Sequence, residues 1–181
     1  MAHGIARIAL VALLATGCAQ ESNAFPALSS TGKLQADGAG ECGAVAISPT
    51  RAITAAHCVK AEVFYHEPGT ANGRRVSRVW LGKQDIACLE VATGEADAPV
   101  GPAYQDSAVT LESNLSGVVG GFVADSWIAD LPSRQGESGS AVRDESGVVV
   151  GLVSAGIDAV KGHALKTKLA SAEQAAGLCG G

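Results

Sequence analysis

Short apolar runs bounded by glycine, proline and polar clusters recur along most of the chain. "CGAVAIS" is followed by a turn at Pro49-Thr50 and then by "RAITAAH", the mark of a hairpin of two short strands. "AEVFYH", "RRVSRVWLG" and "DIACLEVA" come next, with "PGTANG" supplying turn residues between the first two. A second series runs "SAVTLES", "SGVVGGFVA", "SWIADLP", "SAVRDE", "GVVVGLVSAG" and "HALKTKL". The stretch between the series, "TGEADAPVGPAYQ" (93–105), has the composition of a linker. Only the end, "ASAEQAAGLCG", rich in alanine with Glu and Gln, reads as helix. Two sets of about six short strands predict small all-β units, barrels or sandwiches, with short loops.

The first eighteen residues follow another pattern. Arg7 precedes an apolar run from Ile8 to Ala15 that is too short to span a bilayer as a mature helix, and the segment reads as an export signal. Its ending, "ATGC", resembles a bacterial lipobox in which Cys18 is lipidated and becomes the new N-terminus. The competing reading is ordinary cleavage after Ala19, with Gly17 and Ala19 as the small pair. Either way the protein leaves the cytoplasm, for the cell envelope, the periplasm or the medium. The expected organisation is an export signal over 1–18, a Gly/Ser-rich tether and first edge strand over 19–40, one β-unit over 41–100, a second over 101–170, and a C-terminal helix or tail over 171–181.

Composition narrows the picture. The chain of 181 residues is 47% hydrophobic but only 4% aromatic, so its core must be built from Ala, Val, Ile and Leu. A net charge of −5 with no basic block argues against nucleic acid and against a polybasic membrane surface. Membrane contact is expected only through the lipid at Cys18. With Cys18 in the signal, Cys42, Cys58, Cys88 and Cys179 remain, an even number in a disulfide-permissive compartment. No C-x-x-C pair occurs, so disulfides are favoured over a zinc site, with three connectivities open.

Three stretches carry candidate chemistry. "TAAHC" (54–58) sets His57 beside a cysteine; taken alone, His57 is a core histidine bonded to a carbonyl. "GESGSAV" (136–142) brackets Ser138 with glycines that let the backbone curl until N–H groups converge, as an oxyanion requires; taken alone, it is as well a turn with a solvent-facing serine. "DIACL" (85–89) opens an apolar strand with Asp85, a carboxylate that needs partners if it is drawn to the core edge, though on its own it reads as a turn cap.

Together, in the order His, Asp, Ser, these boxes resemble the trypsin-like serine peptidase family in its compact bacterial form. Cys42, sixteen residues before Cys58, is similar to the family's half-cystine of the histidine hairpin, and "GVVVGLVSAG" (147–156) to its substrate-binding strand. The resemblance covers roughly residues 40–170. It implies two six-stranded antiparallel β-barrels of chymotrypsin-like fold with a short C-terminal helix, and a cleft between them. It further implies His57 as general base, Asp85 as its orienting partner, Ser138 as nucleophile, and the N–H groups of Gly136 and Ser138 as the oxyanion hole. Pro132 would floor the specificity pocket, Gly156 and Gly162 would leave its walls open, and Ser154 and Gly156 would hold substrate backbone. Cys42 would pair with Cys58; Cys88 and Cys179, left over, either bridge and pin the C-terminal helix to the strand that leaves Asp85, or stay as a buried thiol and a free thiol on a frayed tail. The implied activity is endopeptidase cleavage of a protein or peptide, without cofactor or metal, by a monomer.

Glu137 departs from the family, which has Asp or Asn before the nucleophile. No Ile-Val-Gly-Gly-like start follows the signal, so activation by an inserted N-terminus is not expected. With Pro132 at the floor, an uncharged, medium-sized apolar side chain is expected before the scissile bond. The alternatives are a catalytically silent relative binding peptides or a partner in the same cleft, and an envelope lipoprotein with fortuitous matches.

Overall fold

The structure is a computed structural model that describes residues 31–36, 40–59, 62–67, 70, 72–94, 97–158 and 163–180. The export segment, the lipobox Cys18, most of the tether and Gly162 lie outside the described residues.

The first β-unit contains β1 (Thr31–Ala36), β2 (Glu41–Ser48), β3 (Arg51–Ala55), β4 (Val63–His66), β5 (Arg74–Arg75), β6 (Arg78–Leu81) and β7 (Ile86–Glu90). They form one antiparallel sheet in the order β5-β4-β1-β2-β3-β7-β6. The expected hairpin is β2–β3, and a three-ten turn, Ala56–Cys58, follows β3. Two expectations shift. The sheet has seven strands and does not close among the described residues, because "RRVSRVWLG" divides into β5 and β6. And β1 is an interior strand, paired with β2 on one side and β4 on the other.

The second unit contains β8 (Ala108–Leu111), β9 (Ser116–Val123), β10 (Ser126–Asp130), β11 (Ser133–Arg134), β12 (Ala141–Asp144), β13 (Val149–Ile157), β14 (His163–Ala164) and β15 (Lys166–Ser171). Six of these close a barrel in the order β10-β15-β13-β12-β8-β9, while β11 and β14 pair as a separate ribbon. The helix α1 (Ala172–Cys179) continues directly from β15. Its N-cap, Ser171, accepts the Gln174 N–H at 3.2 Å, and Glu173 places a negative charge in the first turn.

Each unit buries its own apolar core: Leu34, Ala52, Tyr65 and Leu89 in the first, Leu111, Val119, Leu131 and Val142 in the second. A third cluster belongs to neither alone. Val45, Ile53 and Ile86 of the first sheet meet Ala141, Val149 and Leu152 of the barrel, with Ala172 and Ala175 of the helix filling the space between. This seam explains why so few aromatics suffice, since small side chains let two sheets approach closely. It also corrects the linker reading of residues 93–105. Ala98 is buried in the seam, its N–H donates to the Ala46 carbonyl at 3.0 Å, and the Val149 N–H donates to the Pro99 carbonyl at 2.8 Å. The segment stitches one unit to the other.

Two disulfides are present. Cys42–Cys58 ties the start of β2 to the three-ten turn, and Cys88–Cys179 ties β7 to the last residue of α1. The second bridge closes a loop of 91 residues, for which chain entropy alone gives about 4.6 kcal/mol as an upper figure. Replacing both Cys88 and Cys179 by serine should therefore lower unfolding free energy by about 2–4 kcal/mol, measured by urea titration of the oxidised protein. An unchanged midpoint would show that α1 needs no pin.

Candidate active site

Asp85 ends the tight loop joining β6 to β7, which the Gly82 N–H closes by donating to the Ile86 carbonyl at 2.9 Å. Gln84 and Asp85 both take left-handed conformations, with φ of 60° and 63°. Asp accepts that region more readily than most residues, and such backbone concentrates at functional sites. The Asp85 carboxylate gathers three donors. The His57 N–H donates to Oδ1 at 2.9 Å, His57 Nδ1 lies 2.8 Å from Oδ2, and the Ser154 hydroxyl donates to Oδ2 at 2.6 Å. The Asp85 carbonyl in turn accepts the Ala56 N–H at 3.0 Å. An ionised carboxylate can only accept, so the 2.8 Å contact assigns the proton to Nδ1 and leaves Nε2 as the acceptor of the neutral ring. The His57 side chain remains 44% exposed and can meet a substrate, while Asp85 is three-quarters covered.

Ser154 comes from the other unit. The β13–β15 register shifts between Val153 and Ala155, and every residue from 149 to 154 is buried. Val153 enters the barrel core and Ser154 turns to Asp85. The sequence reading placed Ser154 on substrate; in the structure its hydroxyl donates to the Asp85 carboxylate.

Ser138 lies on two consecutive β-turns. The Glu137 N–H donates to the Arg134 carbonyl at 3.2 Å, and the Ser140 N–H donates to the Glu137 carbonyl at 2.9 Å. Gly136 and Gly139 are the third residues of these turns, with φ of +94° and +80°, the type II signature that only glycine adopts freely. The Gly139 N–H is taken up by the Val153 carbonyl at 2.7 Å. The N–H groups of Gly136 and Ser138 have no acceptor among the described residues. They are therefore free donors in the loop that carries Ser138.

The loop is docked on the first sheet. The Gly43 N–H donates to the Ser138 carbonyl at 2.6 Å, and the Gly43 carbonyl accepts the buried Thr54 hydroxyl at 2.7 Å. A Cβ at Gly139 would run into both the Gly43 carbonyl and that hydroxyl. Cys58 Sγ, one residue from His57, lies 3.7 Å from the Ser138 carbonyl. Among the described residues no hydrogen bond joins the Ser138 hydroxyl to the imidazole. Catalytic hydrogen bonds are often long in unliganded enzymes and tighten in the substrate complex.

Beside Ser138 is a cavity of about 280 Å³ lined by Ser133, Arg134, Gln135, Val153, Gly156 and Ala164. Pro132 is exposed and outside this lining, whereas Ser133 is 4% exposed and within it. Neighbouring residues on extended backbone point to opposite sides, so a floor assignment one residue off chooses the wrong face. Gly156 lines the cavity as expected from its position, and a Cβ there would press on the Ala164 methyl. Ser133, Ala164, Gly43 and Thr54 were missed by sequence reasoning. Ser133 was within reach, because the buried Leu131 two residues earlier gives the parity. Gly43 and Thr54 depend on contact with a loop of the other unit, and Ala164 on the pairing of β14 with β11, which no local pattern encodes. His66 in β4 and His163 in β14 make no contact with Asp85 or Ser138. Cys42, His57 and Cys58 cluster closely enough for a metal, but the two sulfurs are bonded to each other and offer it no thiolate.

No protein-family model matches the sequence, and no curated protein matches it. Among solved structures, the active form of the Rv3671c protease from M. tuberculosis superposes with a TM-score of 0.71 at 19% identity, over 85% of this chain and 81% of that one. The inactive form of the Rv3671c protease gives 0.66 at 18%, over 85% and 89%. Kallikrein-related peptidase 10 in complex with Zn2+ gives 0.67 at 15%, over 84% and 94%. At these identities the likeness is one of fold.

The docking of the nucleophile loop makes a direct prediction. Gly139→Ala adds both left-handed strain and a clash with backbone, and should destabilise the protein by at least about 2 kcal/mol, read as a lowered Tm. An unchanged Tm would mean that the loop is not held against Gly43.

Proposed function

The chain has the chymotrypsin-like fold of the trypsin-like serine proteases, and on that premise we propose that it is a serine endopeptidase. The observation that carries the reading is the Asp85 carboxylate, which holds both the backbone N–H and the ring of His57 and thereby fixes the tautomer that a general base requires. Ser138 Oγ attacks the scissile carbonyl carbon while its proton passes to Nε2 of His57. Asp85 stays ionised and stabilises the imidazolium. The oxyanion accepts the free N–H groups of Gly136 and Ser138, each worth about 3 kcal/mol in such sites. His57 then gives its proton to the leaving amine as the C–N bond breaks, leaving an acyl group on Ser138. Water repeats the sequence: its proton goes to Nε2, its oxygen to the acyl carbon, and Ser138 departs with the proton.

The 280 Å³ cavity would receive the side chain before the scissile bond. Among the described residues its lining holds no carboxylate and one charged member, Arg134, and Ala164 narrows it. A small or medium uncharged side chain fits this chemistry. The two disulfides support an exported protein, since such bridges persist in oxidising compartments. The export signal and lipidated Cys18 belong to the same proposal. The substrate is a protein or peptide, cleaved by a monomer without nucleic acid or cofactor.

The test is cleavage of a peptide library by the mature chain and its variants. Ser138→Ala and His57→Ala should each reduce kcat/KM by more than about a thousandfold with Tm nearly unchanged. Residual activity above that level would overturn the role of the residue concerned. Ser154→Ala, which removes one hydrogen bond to a charged carboxylate, should cost about ten- to a hundredfold in kcat. A loss confined to KM would return Ser154 to substrate binding.

A further inference from the structure

Glu137 precedes the nucleophile and is absent from the mechanism above, yet its side chain is engaged. The Glu137 carboxylate accepts the Arg134 N–H at 2.6 Å, while the Glu137 N–H donates to the Arg134 carbonyl at 3.2 Å. The two residues are thus bonded reciprocally across one turn. The arrangement matches the second half of a helix capping box, in which a Glu or Gln reaches back three residues to a backbone N–H. Its effect here is local to the oxyanion donors. The peptide between Gln135 and Gly136 is the middle peptide of this turn, and its orientation separates a type II from a type I turn. That peptide carries one free N–H, and the peptide on the other side of Glu137 carries the second, at Ser138. Glu137 also supplies the carbonyl that closes the next turn on the Ser140 N–H.

We propose that Glu137 is the positioning residue of the oxyanion hole, its carboxylate bracing the 134–137 turn from within the loop. The inference rests on Ser138 being the nucleophile. Reach decides which side chains can do this. A glutamine in place of Glu137 would present an oxygen at the same distance, an aspartate falls one methylene short, and an alanine presents nothing. The residue of shorter reach should therefore be the poorer substitute, although it keeps the charge.

The experiment compares Glu137→Gln, Glu137→Asp and Glu137→Ala with the wild-type mature chain. The readouts are kcat and KM on a cleaved peptide, and the affinity of a peptide boronic acid that adds to Ser138 and places an oxygen in the hole. Glu137→Gln should stay within about threefold of wild type in all of them. Glu137→Asp and Glu137→Ala should lose kcat and boronate affinity together, approaching the hundredfold cost of a missing oxyanion donor, with KM little changed. Equal kcat for the Gln and Asp variants, or a loss carried by KM alone, would overturn the proposal. If Glu137→Ala fails to fold, the Gln–Asp pair still decides. A wild-type chain that neither hydrolyses peptide nor binds the boronate would instead bring down the serine peptidase reading, and this inference with it.

Discussion

Ser138 and His57 are carried by different β-units, and the hydrogen bond from the Gly43 N–H to the Ser138 carbonyl holds the two together. The bond can form because nothing stands between the backbones. Gly139 meets the Gly43 carbonyl and the Thr54 hydroxyl with no side chain between, and Thr54 holds that carbonyl through its hydroxyl. The Gly139 N–H returns the other face of the loop to Val153 in the barrel. The nucleophile loop is thus clamped between a strand of each unit. Any account of reactivity at Ser138 depends on this clamp, because a displacement of an ångström between nucleophile and base costs orders of magnitude in rate.

The same seam dictates composition. Its core is built from Val45, Ile53, Ile86, Ala141, Val149, Leu152 and the helix alanines, all small or medium aliphatics. Larger side chains would separate the sheets and stretch the Gly43–Ser138 bond. Other ties cross the seam at different heights. The 93–105 segment bonds to Ala46 and Val149, Ser154 reaches from the barrel to Asp85, and α1 is bonded through Cys179 to β7. Since β7 begins at the residue after Asp85, the strand that carries the helix pin starts beside the Asp85 carboxylate.

What was legible in the sequence was what is local. His57, Asp85 and Ser138 sit in contiguous boxes whose residue types are demanded by chemistry, and the glycines beside Ser138 announce the two turns. The alanine-rich helix is equally local, with Ser171 at its start. What was hidden depends on partners distant in sequence. The contact of Ser154 with Asp85 joins residues 69 apart in the chain, which no local pattern encodes. The interior place of β1 is set by its two neighbours, not by its own polar composition. Residues 98–101 carry linker composition yet bond to both units, and composition does not encode those partners. The Pro132–Ser133 exchange is an error of parity, where one residue decides between solvent and cavity.

The central claim is that Ser138 is made nucleophilic by a histidine whose tautomer Asp85 fixes. The most direct measurement is reaction of the mature chain with a fluorophosphonate, followed by peptide mapping in the mass spectrometer. The account predicts a single adduct, on Ser138, that forms in the wild-type chain and fails to form in His57→Ala. An adduct on Ser133 or Ser140, or equally fast labelling of Ser138 without the imidazole, would contradict it.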